Sequence, residues 1–198
     1  MEGRIYLIPV TLGGNDASLV IPEKVLDITR GLRHFIVENT RSARRYLRLI
    51  DREFPIDETF FHELNEHTRE TDVIALLDPV RKGFDTGLMS EAGLPGIADP
   101  GAVVIRAAHQ LGIKVIPLAG PSSIILALIA SGLNGQNFSF NGYLPVKPAE
   151  RSARLKELER LARSGYAQIF METPYRSQKM FEAITGSCNP DSLLCIAT

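Results

Sequence analysis

Gly87-Leu88-Met89-Ser90-Glu91-Ala92-Gly93-Leu94-Pro95-Gly96-Ile97-Ala98-Asp99-Pro100-Gly101 reads as a short apolar strand that breaks into a loop punctuated by glycine and proline ahead of a new helix. Gly93, Gly96 and Gly101 allow backbone conformations closed to other residues and let a ligand approach the main chain, while Pro95 and Pro100 stiffen the path. In an open parallel sheet, ligands bind beyond the carboxyl ends of the strands, which is where such a loop falls. The stretch therefore points to an α/β protein, provided that its neighbours alternate strand with helix.

They do. Ile5-Tyr6-Leu7-Ile8-Pro9-Val10 is a core strand closed by the turn-rich Thr11-Leu12-Gly13-Gly14-Asn15-Asp16, and a helix follows Pro22. His34-Phe35-Ile36-Val37 is a second strand ending in Glu38-Asn39-Thr40-Arg41. Ser42 is then expected to cap a helix from Ala43 to Arg52, with Tyr46, Leu47, Leu49 and Ile50 at helical spacing. A third strand is expected around Thr59-Phe60-Phe61, then a polar helical stretch from Glu66 to Arg81 interrupted by Pro79. The strand 87–90, a helix Val103 to Leu111 and the strand Lys114-Val115-Ile116-Pro117 complete the series. Such alternation implies parallel strands with right-handed crossovers.

Ser122 to Gly132 is almost wholly apolar, and a helix apolar on every face is expected to be buried on every face. That places it at a junction between two α/β domains, 1–118 and 119–198. Beyond it the pattern restarts with the strand Phe138 to Phe140, a charged helix Ala149 to Arg163, the strand Gln168 to Met171, a helix Arg176 to Ile184 and a last strand Leu193 to Ile196. A further hairpin is expected to close the second domain.

Composition bounds the rest. The 198 residues are 44% hydrophobic and 23% charged, ordinary globular material, and a net charge of −1 denies the chain the global basic field of a dedicated nucleic-acid binder. Any RNA contact must be local. The best candidate is the run Lys147, Arg151, Arg154, Lys156, Arg160 and Arg163, set against Glu150, Glu157 and Glu159; it is either a solvated helix face or a phosphate-contacting patch. Cys188 and Cys195 lack metal-ligand spacing and are read as two buried thiols of a reduced, cytoplasmic protein, with no membrane segment. His62-Glu63-Leu64-Asn65-Glu66-His67 sets its histidines five apart, where a shared helical face needs four, so no metal is expected. Ser122 and Ser123 lack a nucleophile-elbow context, and the Gly13-Gly14 turn lacks a full nucleotide fingerprint.

Taken in order, Ile5-Tyr6-Leu7-Ile8-Pro9 with Gly13, Glu38-Asn39-Thr40-Arg41, Ser90 to Pro95 with Asp99-Pro100-Gly101, Val115 to Pro121, Gly142-Tyr143-Leu144-Pro145 and the pair Glu172 and Arg176 resemble the tetrapyrrole methylase superfamily. The resemblance is to its branch that methylates a ribose 2′-hydroxyl of small-subunit ribosomal RNA. It implies an S-adenosylmethionine-dependent methyltransferase of two α/β domains, with the cofactor between them, acting as a homodimer. By similarity the cofactor touches Leu12, Gly13, Glu91, Ala92, Gly93, Leu94, Ser122, Ser123, Phe170 and Met171. Arg41 and Arg176, whose paired donors match phosphate or carboxylate, are the candidate contacts to the acceptor, ribosomal RNA or the small ribosomal subunit, and Asn39 at its strand end is either a further contact or part of a helix-capping turn.

The chain departs from that branch at Asn39, where Asp is usual, at Leu94, where Thr is usual, and in the first loop and the His62 segment. Two alternatives therefore stay open: methylation of a small molecule such as a tetrapyrrole, and a non-catalytic S-adenosylmethionine-binding paralogue. Methyl transfer to a hydroxyl requires positioning and a proton acceptor rather than a protein nucleophile. Glu38, Glu91 and Glu172 are the candidate bases, and the sequence does not choose among them.

Overall fold

The computed structural model describes residues 3–198 apart from 65–67 and 69, with only the backbone described at 70 and 71. The chain divides into two compact units, residues 1–122 and 123–198.

The first unit is built on five parallel strands: β1 (Arg4–Leu7), β2 (His34–Val37), β3 (Phe60–Glu63), β4 (Thr86–Met89) and β5 (Lys114–Pro117). Their spatial order is β3-β2-β4-β1-β5. Helices α1 (Glu23–Gly31), α2 (Thr40–Ile50), α3 (Glu70–Leu76), α4 (Asp78–Arg81) and α5 (Gly101–Gln110) connect them. Period-two alternation along the strands sorts the core into two layers. Phe35, Val37 and Met89 join Val25, Leu26, Tyr46 and Leu47 of α1 and α2 on one face. Ile36 and Leu88 join Leu77, Val104 and Ala108 on the other. All four residues of β4 are buried, as a central strand covered on both faces must be.

Gly87 sits in β4 opposite Phe35. A Cβ there would lie 2.4 Å from Ile8 Cδ1 and 2.8 Å from Phe35 Cδ1, so its lack of a side chain makes room for that ring.

The second unit holds α6 (Ser123–Ser131), a parallel pair β6 (Phe138–Tyr143) and β7 (Ala167–Met171), and the helices α7 (Pro148–Arg163) and α8 (Ser177–Ser187). Its core gathers Leu144, Leu155, Leu158 and Met180, with Phe170 and Ile184 against it. Between Phe140 and Tyr143 the register slips by one residue, and Gly142 takes φ +60° there, the left-handed position of a bulge. Asn141 Nδ2 donates to the Ser139 and Ile169 carbonyls and to Gln168 Oε1, while its Oδ1 accepts from Arg154 Nη2 at 2.8 Å, tying α7 to the sheet.

The α/β class and the element series are borne out, with corrections. The polar stretch forms two helices broken at Leu77, because Pro79 opens the second as an early helical residue. The helix read as starting at Ala43 starts at Thr40. Asn39, extended at φ −146°, accepts from the Arg41 and Ser42 amides and so takes the capping role expected of Ser42. The apolar α6 is not enclosed: only Leu128 is buried, while Ile125, Leu126 and Ile129 are 45%, 48% and 69% exposed. Composition states the demand for an apolar partner and does not supply one. Leu193 to Ile196 forms no strand and lies exposed; an apolar run becomes a strand only beside an open sheet edge to which it bonds. Of the two thiols expected to be buried, Cys188 is half-buried and Cys195 is exposed, since Cys195 falls in that unpaired run.

Gly87→Val should lower stability by about 1 to 3 kcal/mol through overpacking against Ile8 and Phe35. The result is read as a lower urea midpoint at unchanged slope; an unchanged midpoint would contradict the packing described.

Candidate functional site

Five parallel strands deliver five loops to one edge of the first sheet, and three of those loops meet at Gly93. The Val10 amide donates to the Gly93 carbonyl at 2.9 Å, an antiparallel bridge between the first loop and the glycine loop. Gly93 takes φ +68°, a conformation that L side chains rarely adopt; a Cβ on it would lie 3.3 Å from Leu12 Cδ2 and 3.5 Å from the Pro121 carbonyl. Gly120 fits against the Pro9 ring, where a Cβ would come within 2.1 Å of Pro9 Cβ. Tyr46 of α2 donates its hydroxyl to the Pro9 carbonyl at 3.0 Å, and burial raises its pKa, which keeps it a donor. Asp99 closes the far side of the loop, accepting from the Gly96 amide at 2.8 Å and the Gly101 amide at 2.6 Å. Ala98 beside it is held at φ +60°, outside the usual range for a residue with a Cβ.

Carboxylates line the same edge. Glu38, following β2, accepts from the Glu91 amide at 3.3 Å; Glu91, two residues past β4, accepts from the Ser42 hydroxyl at 2.8 Å. Glu63, the last residue of β3, accepts from the Thr40 amide at 3.2 Å. Their environments differ. Burial raises the Glu38 pKa; the bond from the Glu91 amide opposes this, and the charges of Glu91 and Asp99 add to it. The Thr40 hydroxyl and amide instead hold Glu63 below the usual carboxylate value. Glu38 is thus the more basic of the two.

Of the residues expected from the sequence, Leu12, Gly13, Glu91, Ala92, Gly93, Leu94 and Ser122 lie in the loops of this edge, together with Asn39 and Arg41. Asn39 spends its side-chain oxygen on the helix cap; Arg41 stands exposed on the first turn of α2. The other expected residues belong to the second unit. Ser123 opens α6, and half-buried Phe170 and Met171 close β7. Arg176 is ion-paired there. Its Nε and Nη2 both donate to Glu172 Oε1, at 2.7 and 2.6 Å, and the Thr173 amide adds a third bond at 2.8 Å. Burial pushes the Glu172 pKa up, but the bonds from Thr173 and Arg176 outweigh it, leaving Glu172 below its ordinary value.

Sequence reasoning missed the Ser42–Glu91, Thr40–Glu63 and Tyr46–Pro9 bonds. Each joins residues more than 20 positions apart, and only the strand order brings them together. Asn65 to His67 of the histidine segment lie outside the described residues. Among the described residues no group of three or more His, Cys, Asp or Glu is placed to hold a metal, and no helix is long and apolar enough to cross a membrane.

No protein-family model matches the chain. It is, however, 34% identical over 186 residues to "Ribosomal RNA small subunit methyltransferase I" of Vibrio cholerae, covering 92% of this chain and 61% of that protein. The protein of the same name in Bacillus subtilis is 30% identical over 182 residues, covering 92% of this chain and 59% of the relative. The chain thus spans about 60% of the length of these curated relatives. Among solved structures, the methyltransferase CobJ matches with a TM-score of 0.63 at 17% identity, covering 95% of this chain and 77% of that one. The cobalt precorrin-4 methyltransferase CbiF matches with a TM-score of 0.59 at 16% identity, covering 93% and 74%. These two show a shared fold.

Glu172→Gln should destabilise the second unit by about 1 to 3 kcal/mol at neutral pH, through loss of charge-assisted bonds. Because the Glu172 pKa is depressed on folding, the wild-type advantage is complete above the ordinary value of 4.5 and fades as pH falls below it. Denaturation of both proteins across that range checks the sign; an advantage that grew on acidification would contradict it.

Proposed function

From a chain with the tetrapyrrole methylase fold that is related in sequence to the bacterial small-subunit ribosomal RNA methyltransferases I, we propose an S-adenosylmethionine-dependent methyltransferase whose acceptor is a ribose 2′-hydroxyl of small-subunit ribosomal RNA. The observation that carries the reading is the convergence of the Leu12-Gly13, Glu91–Leu94 and Leu118–Ser122 segments around Gly93. The relatives' names support small-subunit ribosomal RNA as the acceptor, and the sequence resemblance supports its ribose 2′-hydroxyl.

The edge of the first sheet fits the cofactor in two respects. At Gly13 and Gly14, which take φ +145° and +83°, the Cβ positions open onto free space, so the main chain is approachable. The carboxylates of Glu38 and Glu91 offer negative charge to a ligand that carries a sulfonium and an ammonium. Leu12, Gly13 and the Glu91–Leu94 segment would hold it there. Bound, S-adenosylmethionine supplies an electrophilic methyl group.

The chain's own residues do the remaining work. The Val10–Gly93 bridge and the Asp99 bonds fix the loop, so the reacting groups are positioned by backbone that needs no reorganisation. The acceptor hydroxyl must lose a proton, and Glu38 is the fitting recipient. Burial makes it a stronger base than an ordinary glutamate, whereas Glu172, paired with Arg176, is a weaker one. Arg41, exposed at the start of α2, is available to a phosphate through its planar fork of donors.

Calorimetry with S-adenosylmethionine should show binding by the wild type and an at least tenfold weaker signal for Gly93→Val, whose β-branched side chain is strained at positive φ and crowds Leu12. Transfer of labelled methyl to isolated small ribosomal subunits, with the product located on ribose by mass spectrometry, tests the acceptor. Absence of cofactor binding by the wild type would overturn the reading as a whole. Transfer to a tetrapyrrole but not to the subunit would replace the acceptor alone.

A further inference from the structure

The charged helix α7 separates its cations into two groups. Lys147, just before the helix, pairs with Glu150 at 3.0 Å, Arg151 donates to the Val146 carbonyl at 3.4 Å, and Arg154 is held by Glu157 and Asn141. Lys156, Arg160 and Arg163 recur at intervals of four and three, which places them on one stripe, turned away from the buried Leu155 and Leu158. Among the described residues, no carboxylate lies within ion-pair distance of Lys156 or Arg160.

The nearest acid on that stripe is already engaged. Glu159 Oε1 accepts from the Asn189 amide at 2.7 Å, from Ser192 Oγ at 2.5 Å and from Arg163 Nη2 at 3.3 Å; these bonds hold its pKa low and fasten the segment after α8 onto α7. Lys156, Glu159, Arg160, Arg163 and Ser187 line a hollow of about 360 Å³. On a chain of net charge −1, Lys147 and α7 together carry six cations against three carboxylates.

We propose that the Lys156–Arg160–Arg163 face of α7 is a docking surface for the RNA phosphodiester backbone, an inference that rests on the reading of the acceptor as ribosomal RNA. The stripe extends about 10 Å along the helix axis, a length that about three stacked nucleotides cover at about 3.4 Å each. Two of its three cations are arginines, whose donor forks match phosphate oxygens. The exposed residues between them on α7 are glutamate and alanine, so along the helix itself the cations are the groups the stripe offers to a ligand. The charge therefore fits a polyanion held by its backbone.

The test measures binding of a labelled RNA hairpin of about 30 nucleotides across about 50 to 200 mM salt, for the full chain and for the variants K156A/R160A, K156E/R160E and K147A. The alanine pair should bind about tenfold more weakly, with a log–log salt slope shallower by about one to two; the charge reversal should lose more, and K147A should match the wild type. Calorimetry with S-adenosylmethionine, unchanged in every variant, separates this surface from the cofactor site. If the wild type binds RNA and both double variants keep its affinity and slope, the face is a solvated helix surface; the inference falls while the proposed function stands. If the wild type binds S-adenosylmethionine but no RNA at any salt, the ribosomal acceptor falls, and this inference with it.

Discussion

The insertion of β4 between β1 and β2 is the constraint on which the first unit depends. It gives β4 two parallel neighbours, and the ladder runs on one residue past the ends of both: the Ile8 amide donates to the Leu88 carbonyl, and the Glu38 amide to that of Met89. A strand in that position has no solvent face, which explains its wholly buried sequence. It also explains Gly87, since the Phe35 and Ile8 side chains occupy the volume that a side chain at 87 would need. Because β4 is central, the loop that leaves it emerges between the loops of its neighbours. Glu91 therefore meets Glu38 and Ser42 on one side, and Gly93 meets Val10 on the other.

That placement divides labour between backbone and side chains. Main-chain bonds and Asp99 set the course of the glycine loop, and α2 is anchored to the same edge through Thr40, Ser42 and Tyr46. Glu38, just after β2, and Glu63, the last residue of β3, then differ in basicity through their surroundings alone. Glu38 is half-buried with one amide donor, whereas Glu63 is exposed beside the Thr40 hydroxyl and amide. Two residues of identical chemistry acquire unlike affinities for a proton because of where their strands end.

Much of this was legible in the sequence. Short apolar runs closed by Gly, Pro and Asn located the strands, and the alternation of strand and helix gave the α/β class. The glycine loop was visible because Gly93, Gly96 and Gly101, stiffened by Pro95 and Pro100, mark a break between strand and helix, whereas the capping role of Asp99 was not read from it. What stayed hidden was whatever depends on distant partners. The position of β4 follows from pairing across the chain, so neither the Ser42–Glu91 bond nor the departure of Glu38 from ordinary basicity was readable locally. Asn39 and Ser42 are both good capping residues, and only the extended backbone at Asn39 decides between them. The α6 helix and the run Leu193 to Ile196 show the reverse error, in which local hydrophobicity promised burial and pairing that residues 123–198 do not provide.

The position of β1 has a consequence for how the protein comes into being. Of the five strands, β1 comes earliest in order and is completed last, because its partners β4 and β5 lie about 80 and 110 residues further along the chain. Until they are made, Ile5 and Ile8, both fully buried in the finished sheet, have no sheet to join. Contacts so distant in sequence impose a large loop-closure entropy before any bond forms, so nucleation falls to the more local pairing of β2 with β3. Strand β1 is thereby a late-docking element, open to chaperones and proteases until the partners that it joins have been made.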